Sequence, residues 1–124
     1  MQKNWTIKDW QSAYAEGNAQ LSDLLDYVAG INNDNNAWIE IATPEQLTAQ
    51  IDSIAAQNPQ DLPLCGIPFA VKDNIDVVGF HTTAGCTDPL YLADKDAHVV
   101  AKLKSAGAIV IGKTNLDQFA TGLV

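Results

Sequence analysis

The sequence predicts an α/β fold, and two kinds of apolar pattern predict it. Residues 67–71 and 108–111 form short, continuous apolar runs beside glycine or proline, which is typical of buried parallel strands. Apolar residues around 96–105, between these runs, recur at helical spacing, so a strand, a crossover helix and a second strand follow in order. Most of the first 61 residues instead show helical spacing alone.

The first helix is predicted by its N-terminal capping residues. Thr6 stands three positions before Asp9, the spacing of a capping box, and Trp5 and Trp10 have the spacing of a hydrophobic staple. Gly17 is the predicted end of this helix, because glycine readily adopts the left-handed conformation that often follows the last turn.

A second helix, a strand and a third helix are predicted next. Leucine and valine recur at helical spacing over residues 21–28, and Gly30 ends that pattern. Residues 37–41 combine bulky and apolar side chains, which favours a short strand. Thr43 is a predicted N-cap, with proline at the next position and Gln46 in the capping-box position.

The second half of the chain begins after a linker, residues 58–63, that carries two prolines. Residues 79–95 show no helical period and contain turn-forming glycine, threonine and proline. Asp96 is the predicted cap of the crossover helix, and Gly107 is its predicted end. Residues 112–115 are predicted to leave the second strand as a turn.

Composition and charge argue against several classes of function. The formal net charge is −8 and the sequence pI is near 4.3, so neither a nucleic-acid surface nor docking on anionic lipid is expected. The N-terminus lacks the apolar core of a signal peptide, and no apolar run approaches the roughly 18–20 residues that span a bilayer. The sequence therefore predicts a cytoplasmic protein with reduced cysteines and with neither a nucleic-acid nor a membrane partner.

Lys72 is the first candidate functional residue, because it directly follows the apolar run in GIPFAVKDNIDVVG. In a dry site, desolvation would favour the neutral amine, which can accept a proton from a hydroxyl nucleophile. Alternatively, the side chain leaves the sheet edge and either pairs with Asp73 or reaches water. Spacing alone favours the second interpretation, since most lysines are solvated.

Other residues that could carry chemistry fit ordinary structural roles better. Residues 107–114, GAIVIGKT, match the bare phosphate-loop pattern, but that pattern should follow a strand and here it contains one. His81, His98 and Cys86 have no metal-ligand spacing, so no metal site is expected. The serines on predicted helices lie outside any glycine-rich elbow and do not resemble activated nucleophiles: Ser12, Ser22, Ser53 and Ser105.

Beyond residue 61 the sequence resembles the amidase signature family. The segments that carry the resemblance are PLCGIPFAVKDNIDVVGFHTTAGC and DAHVVAKLKSAGAIVIGKTNLDQFATGLV. The closing LDQFATGLV resembles the allophanate hydrolase branch more than the tRNA-amidotransferase subunits, which usually have an acidic residue and methionine there. The resemblance implies an amidase-signature-like α/β fold. Residues 1–61 would be leader helices, and residues 62–124 would begin the catalytic core with the first strands and crossover helix of a mixed sheet.

The resemblance also implies a reaction and a set of site residues. The family hydrolyses amides with a Ser–cis-Ser–Lys triad, in which the lysine deprotonates the bridging serine and so activates the nucleophile. Lys72 matches the lysine of the family's VKD motif, which implies a role as general base. Phe119, Ala120, Thr121 and Gly122 match a segment that usually lines the substrate pocket. The implied substrate is a small amide, allophanate in urea degradation, with no cofactor. The alternatives are another enzyme of the amidase signature family, such as an amidotransferase subunit, and a non-catalytic, truncated binding module.

The family's two serines belong to a Gly-Ser-rich stretch that follows the part resembled here. We therefore expect the 124 residues to be an N-terminal, truncated piece of a larger amidase, inactive on its own because no nucleophile is present. An incomplete sheet would expose apolar surface and strand edges, which predicts either a homo-oligomer, as a dimer or a domain-swapped form, or poor solubility.

Overall fold

The computed structural model describes residues 5–33, 37–82 and 91–115. Within these ranges, the helices are α1 (Ile7–Glu16), α2 (Asp23–Ala29), α3 (Pro44–Ala55), a 3₁₀ turn (Pro59–Asp61) and α4 (His98–Ser105). The strands are β1 (Trp38–Ile41), β2 (Pro68–Lys72), β3 (His81–Thr82), β4 (Tyr91–Leu92) and β5 (Ile109–Thr114). The structure combines helices with a small mixed sheet, so the predicted α/β fold class is confirmed.

The N-terminal end of α1 forms both of the predicted contacts. The Thr6 hydroxyl accepts a hydrogen bond from the Asp9 amide at 3.1 Å, and the Asp9 carboxylate accepts one from the Thr6 amide at 2.9 Å. The rings of Trp5 and Trp10 meet edge to face, with 4.9 Å between their centroids. Gly17 ends the helix at a φ of 78°, a conformation that side chains with a Cβ rarely adopt.

The third helix starts by the same capping mechanism. Thr43 accepts a hydrogen bond from the Gln46 amide, and the Gln46 side chain accepts one from the Thr43 amide. Leu47 and Ile54 are buried on one face of α3, which packs against β5. The buried core joins residues of the N-terminal helices to residues of the strands, so the helices and the sheet share one apolar cluster.

The strands form a three-stranded mixed sheet in the order β1-β5-β2. β2 and β5 are parallel neighbours, with Pro68 opposite Ile109 and Lys72 opposite Thr114, which confirms the prediction that the two apolar runs are parallel strands. β1 pairs antiparallel with the other edge of β5, so β5 is the central strand of this sheet. All six residues of β5 are buried, as expected for a strand covered on both faces.

The predicted turn at residues 112–115 is wrong over its first three positions. Gly112, Lys113 and Thr114 continue β5, because each has a register partner on both neighbouring strands. Glycine is required at position 112 by close packing: a Cβ there would lie 2.6 Å from the Glu40 carbonyl oxygen and 2.8 Å from the Trp38 ring. The glycine therefore lets β1 approach β5 instead of ending the strand.

The predicted N-cap of α4 is also wrong. The cap residue is Ala97, and no side chain caps the helix. The Asp96 carboxylate instead accepts hydrogen bonds from the Val78 amide at 2.8 Å and from Lys104 Nζ at 3.0 Å. Asp96 thus fastens α4 to the segment after β2, a tertiary role that outweighs the local one.

A second, two-stranded antiparallel sheet pairs β3 with β4, with His81 opposite Leu92. In the part of the chain that the structure describes, no helix is long and apolar enough to cross a membrane.

Candidate active site

Lys72 is the last residue of β2, and its side chain is half-buried. Its register partner on β5 is Thr114, the last residue of that parallel strand. The carboxyl ends of two parallel strands therefore meet at one edge of the sheet, the position where open α/β sheets bind ligands. The backbone turns directly after Lys72, whose carbonyl accepts a hydrogen bond from the Ile75 amide at 3.0 Å.

A buried ion pair lies beside Lys72. Lys113 of β5 and Asp73 both have fully buried side chains, and Lys113 Nζ lies 3.9 Å from Asp73 Oδ1. This distance is within ion-pair range and too long for a direct hydrogen bond. Across the described ranges, no ion pair joins Asp73 to Lys72, its neighbour in sequence.

Two opposing effects act on the pKa of Lys113. Burial lowers the pKa of the Lys113 amine below its usual value, because removal from water disfavours the charged form. The carboxylates of Asp73, Glu40 and Asp76 raise that pKa, since negative charge favours the ammonium. Desolvation is the larger effect.

Hydrogen bonds connect this pair to β3 and β1. Lys113 Nζ donates to the His81 carbonyl at 3.0 Å. The His81 amide donates to Glu40 Oε1 at 2.8 Å, and His81 Nδ1 lies 3.4 Å from the same oxygen. The Thr82 hydroxyl donates to Asp76 Oδ1 at 2.7 Å. A backbone carbonyl of β3 and carboxylates from β1 and from the turn after β2 therefore surround the Lys113 amine.

Of the site residues that the resemblance implied, only Lys72 lies among the described residues. Lys72 stands at the strand end, whereas Phe119, Ala120, Thr121 and Gly122 lie outside the described residues. Catalytic and pocket roles for these residues stay predictions.

Two other candidates have the ordinary roles that the sequence suggested: His98 is exposed on α4, and GAIVIGKT is largely a buried strand. Cys86 lies outside the described residues, so its role stays a prediction. Within the described ranges, no group of three or more histidine, cysteine, aspartate or glutamate side chains could hold a metal ion.

Sequence reasoning missed Lys113 as a buried partner of the site. Its Gly-Lys-Thr context predicts turn residues and gives a chance match to a phosphate loop, and neither points to a buried cation. The signal that could have found it was its place at the end of the apolar run AIVIGKT, which parallels the place of Lys72 at the end of IPFAVKD.

Comparison with known proteins identifies the family. A family model described as Amidase matches residues 19–124. The chain belongs to the amidase family. The resemblance carried by the VKD and GKTN segments is therefore confirmed at the level of the family, and the mixed α/β architecture agrees with solved amidase structures.

Three similar proteins illustrate the range of the family. The urea amidolyase of Saccharomyces cerevisiae is 46% identical over 125 residues, covering 97% of this chain and 7% of that protein. A solved structure of a Ser→Ala variant of Kluyveromyces lactis allophanate hydrolase matches with a TM-score of 0.84 and 42% identity, covering 98% of this chain and 20% of that one. A glutamyl-tRNA(Gln) amidotransferase subunit from Treponema pallidum (strain Nichols) is 57% identical over 63 residues, covering 48% of this chain and 12% of that protein. This chain thus spans a small part of each of these three proteins.

Proposed function

We propose that these residues supply the general-base lysine of an amide-hydrolysing site of the allophanate hydrolase type. The observation that carries the proposal is the place of Lys72, half-buried at the carboxyl end of β2 and beside the end of parallel β5. A side chain at that edge can reach a bound substrate while its backbone is held by the sheet.

The proposed chemistry follows from the family's triad. The neutral Lys72 amine takes the proton of the bridging serine, which in turn takes the proton of the nucleophilic serine. That oxygen attacks the amide carbon, and ammonia leaves after protonation of the amide nitrogen. Water then hydrolyses the acyl-enzyme. The serines and the groups that stabilise the oxyanion would come from other parts of the complete enzyme.

The substrate is proposed to be allophanate, with the protein acting in the cytoplasm. Support comes from the urea amidolyase and allophanate hydrolase that match nearly the whole of this chain. A second candidate is a subunit of an amidotransferase, which the 57% identity over 63 residues favours. Both candidates would use Lys72 in the same way and differ in the amide that they accept.

Self-association belongs to the same proposal. Several large apolar side chains of the described residues are exposed: Ile7, Ile39, Val78, Leu92 and Val99. We propose that part of this surface is covered by other parts of the complete enzyme or by a second copy. The division into leader helices (1–61) and catalytic core (62–124) is proposed on the same family basis.

The test measures ammonia release by the complete product of the gene that carries these residues. Allophanate turnover well above glutamine turnover supports the hydrolase, and the reverse supports the amidotransferase. Lys72→Arg keeps the charge but cannot be deprotonated at working pH, and Lys72→Met removes the amine. Both should cut kcat by roughly 10²–10⁴-fold while the protein stays folded.

Lys102→Met is the matched control, because Lys102 is exposed on α4. It should keep the full rate. A near-normal rate in Lys72→Arg would refute the general-base role, since arginine can replace only a structural charge.

A further inference from the structure

The Lys113–Asp73 pair contributes less to stability than its complete burial suggests. Both side chains have no exposed surface, and withdrawing two charges from water is costly. Buried ion pairs can often be replaced by neutral groups of similar size without loss of stability, so stability alone does not account for the pair. An uncompensated buried charge, in contrast, is strongly unfavourable, so the pair restricts the geometries that its two chain segments can adopt.

The two segments restricted by the pair, the turn that begins at Asp73 and the end of β5, both lie beside Lys72. Asp73 is covalently joined to Lys72, and its amide donates a hydrogen bond to the Thr114 carbonyl at 3.0 Å. Lys113 is the register partner of Val71, the residue on the other side of Lys72. The chain is thus held by β5 immediately before and immediately after Lys72, and the Lys113 amine attracts the carboxylate of the first turn residue.

The same amine also restricts β3. It donates to the His81 carbonyl at 3.0 Å, and the His81 amide is held by Glu40 of β1. One buried cation therefore joins the turn after Lys72 to β3, which follows nine residues later. The Lys113 side chain has no exposed surface.

We propose that Lys113 is a positioning residue for Lys72, acting through Asp73 and the His81 carbonyl. The proposal rests on the function proposed for Lys72 and names the residue that orients this base. Lys113 does not touch substrate; it fixes the backbone turn from which the Lys72 side chain projects. A misplacement of about 1 Å in a catalytic group can cost about 100-fold in rate, so a small relaxation of this turn should reduce turnover.

The test separates positioning from stability by removing one charge or both. Lys113→Met removes the buried cation that faces the Asp73 carboxylate and should lower the melting temperature strongly. The double variant Lys113→Met/Asp73→Asn removes both charges and keeps similar shapes. It should recover most of the melting temperature, to within about 5 °C of the parent.

The decisive readout is the split between kcat and KM in the complete gene product with allophanate. The double variant should lose about 10–100-fold in kcat, with KM within about threefold, although it is folded as judged by the melt and by hydrogen exchange of β2 and β5. Lys102→Met, exposed on α4, is the control and should change neither kcat nor the melt.

Each other outcome overturns a defined part of the reasoning. Full kcat in the double variant, alongside an inactive Lys72→Met, overturns the positioning role and leaves the function of Lys72 intact. Full kcat in Lys72→Met overturns the proposed function itself. A double variant that raises KM alone, or that cannot fold, assigns the pair to binding or to stability and overturns the positioning role.

Discussion

Replacing Gln50 should loosen the centre of the sheet without changing a strand residue. Gln50 lies on α3, and its side-chain amide bonds both backbone groups of Val110. Nε2 donates to the Val110 carbonyl at 2.9 Å, and Oε1 accepts from the Val110 amide at 2.8 Å. Val110 is fully buried and stands where the β2–β5 register shifts, between Phe69 and Ala70 on β2. The side chain thus satisfies two backbone groups at an irregularity in the ladder.

The expected cost of Gln50→Leu follows from those two bonds. Leucine keeps a similar bulk but leaves one buried donor and one buried acceptor unsatisfied, each at about 1–3 kcal/mol. Gln50 is partly exposed, so water can reach the site to some extent, and we expect a total of about 2–4 kcal/mol. Gln57→Leu is the matched control. Gln57 lies just after α3 and is exposed, and its side-chain Nε2 donates to the Ser53 carbonyl at 3.1 Å. Loss of this exposed bond should lower the free energy of unfolding by no more than about 0.5 kcal/mol.

Hydrogen exchange followed by mass spectrometry measures this effect locally, on peptides that cover β5. A loss of about 2 kcal/mol corresponds to an about 30-fold loss of protection at the Val110 amide. Gln50→Glu provides an isosteric check, because a carboxylate still accepts from the Val110 amide but cannot donate to its carbonyl. Unchanged protection of β5 in Gln50→Leu, or an equal loss in Gln57→Leu, would refute the reasoning.

Two further predictions concern packing and pH. Gly112→Ala should destabilise by about 1–3 kcal/mol, because the new Cβ would meet the Glu40 carbonyl oxygen at 2.6 Å. Gly30→Ala is the control and should lower the free energy of unfolding much less, since its new Cβ would lie at an ordinary distance of 3.5 Å from its nearest neighbour. Equal losses of stability for the two variants in urea titrations would contradict the steric argument. Tyr14→Phe should cost about 1 kcal/mol at pH 8, because the Tyr14 hydroxyl donates to the Gly66 carbonyl at 2.7 Å. Burial raises the pKa of Tyr14 in the folded protein, so the folded state favours the protonated hydroxyl. The stability that this hydroxyl contributes is fully present below the unfolded pKa of about 10 and is lost as the pH rises above that value. Between pH 8 and pH 11, urea titrations should therefore show a smaller loss of the free energy of unfolding in Tyr14→Phe than in the parent protein. An equal loss in both proteins would exclude a stabilising role for the Tyr14 hydroxyl.

The sequence predicts best those features that depend on near neighbours. The capping boxes of Thr6 and Thr43 need only a partner three residues away, and both form. The two parallel strands are predicted because a continuous apolar run needs burial on both faces, which a parallel sheet provides. Each of these predictions uses information contained within a few residues of sequence.

The failed predictions involve partners that are distant in sequence. Asp96 could cap α4, but it bonds the Val78 amide, 18 residues away, and Lys104. Gly112 has the composition of a turn, yet Ile41 of β1 pairs with it and extends the strand. A local pattern records what a residue can do, and the tertiary partner that lowers the free energy most decides which of these options is used.

Local sequence also cannot distinguish the roles proposed for the two lysines at the strand ends, Lys72 and Lys113. Both follow an apolar run, in IPFAVKD and AIVIGKT, so local sequence gives them the same prediction. Lys113 lies on the central strand of the three-stranded sheet and is completely buried, whereas Lys72 lies on β2 at its edge and remains partly exposed. A general base must reach its substrate, and a positioning residue must not move, so the order of strands suits Lys72 to the first role and Lys113 to the second. The assignment of the two roles therefore depends on the topology of the sheet, which no pattern within either run contains.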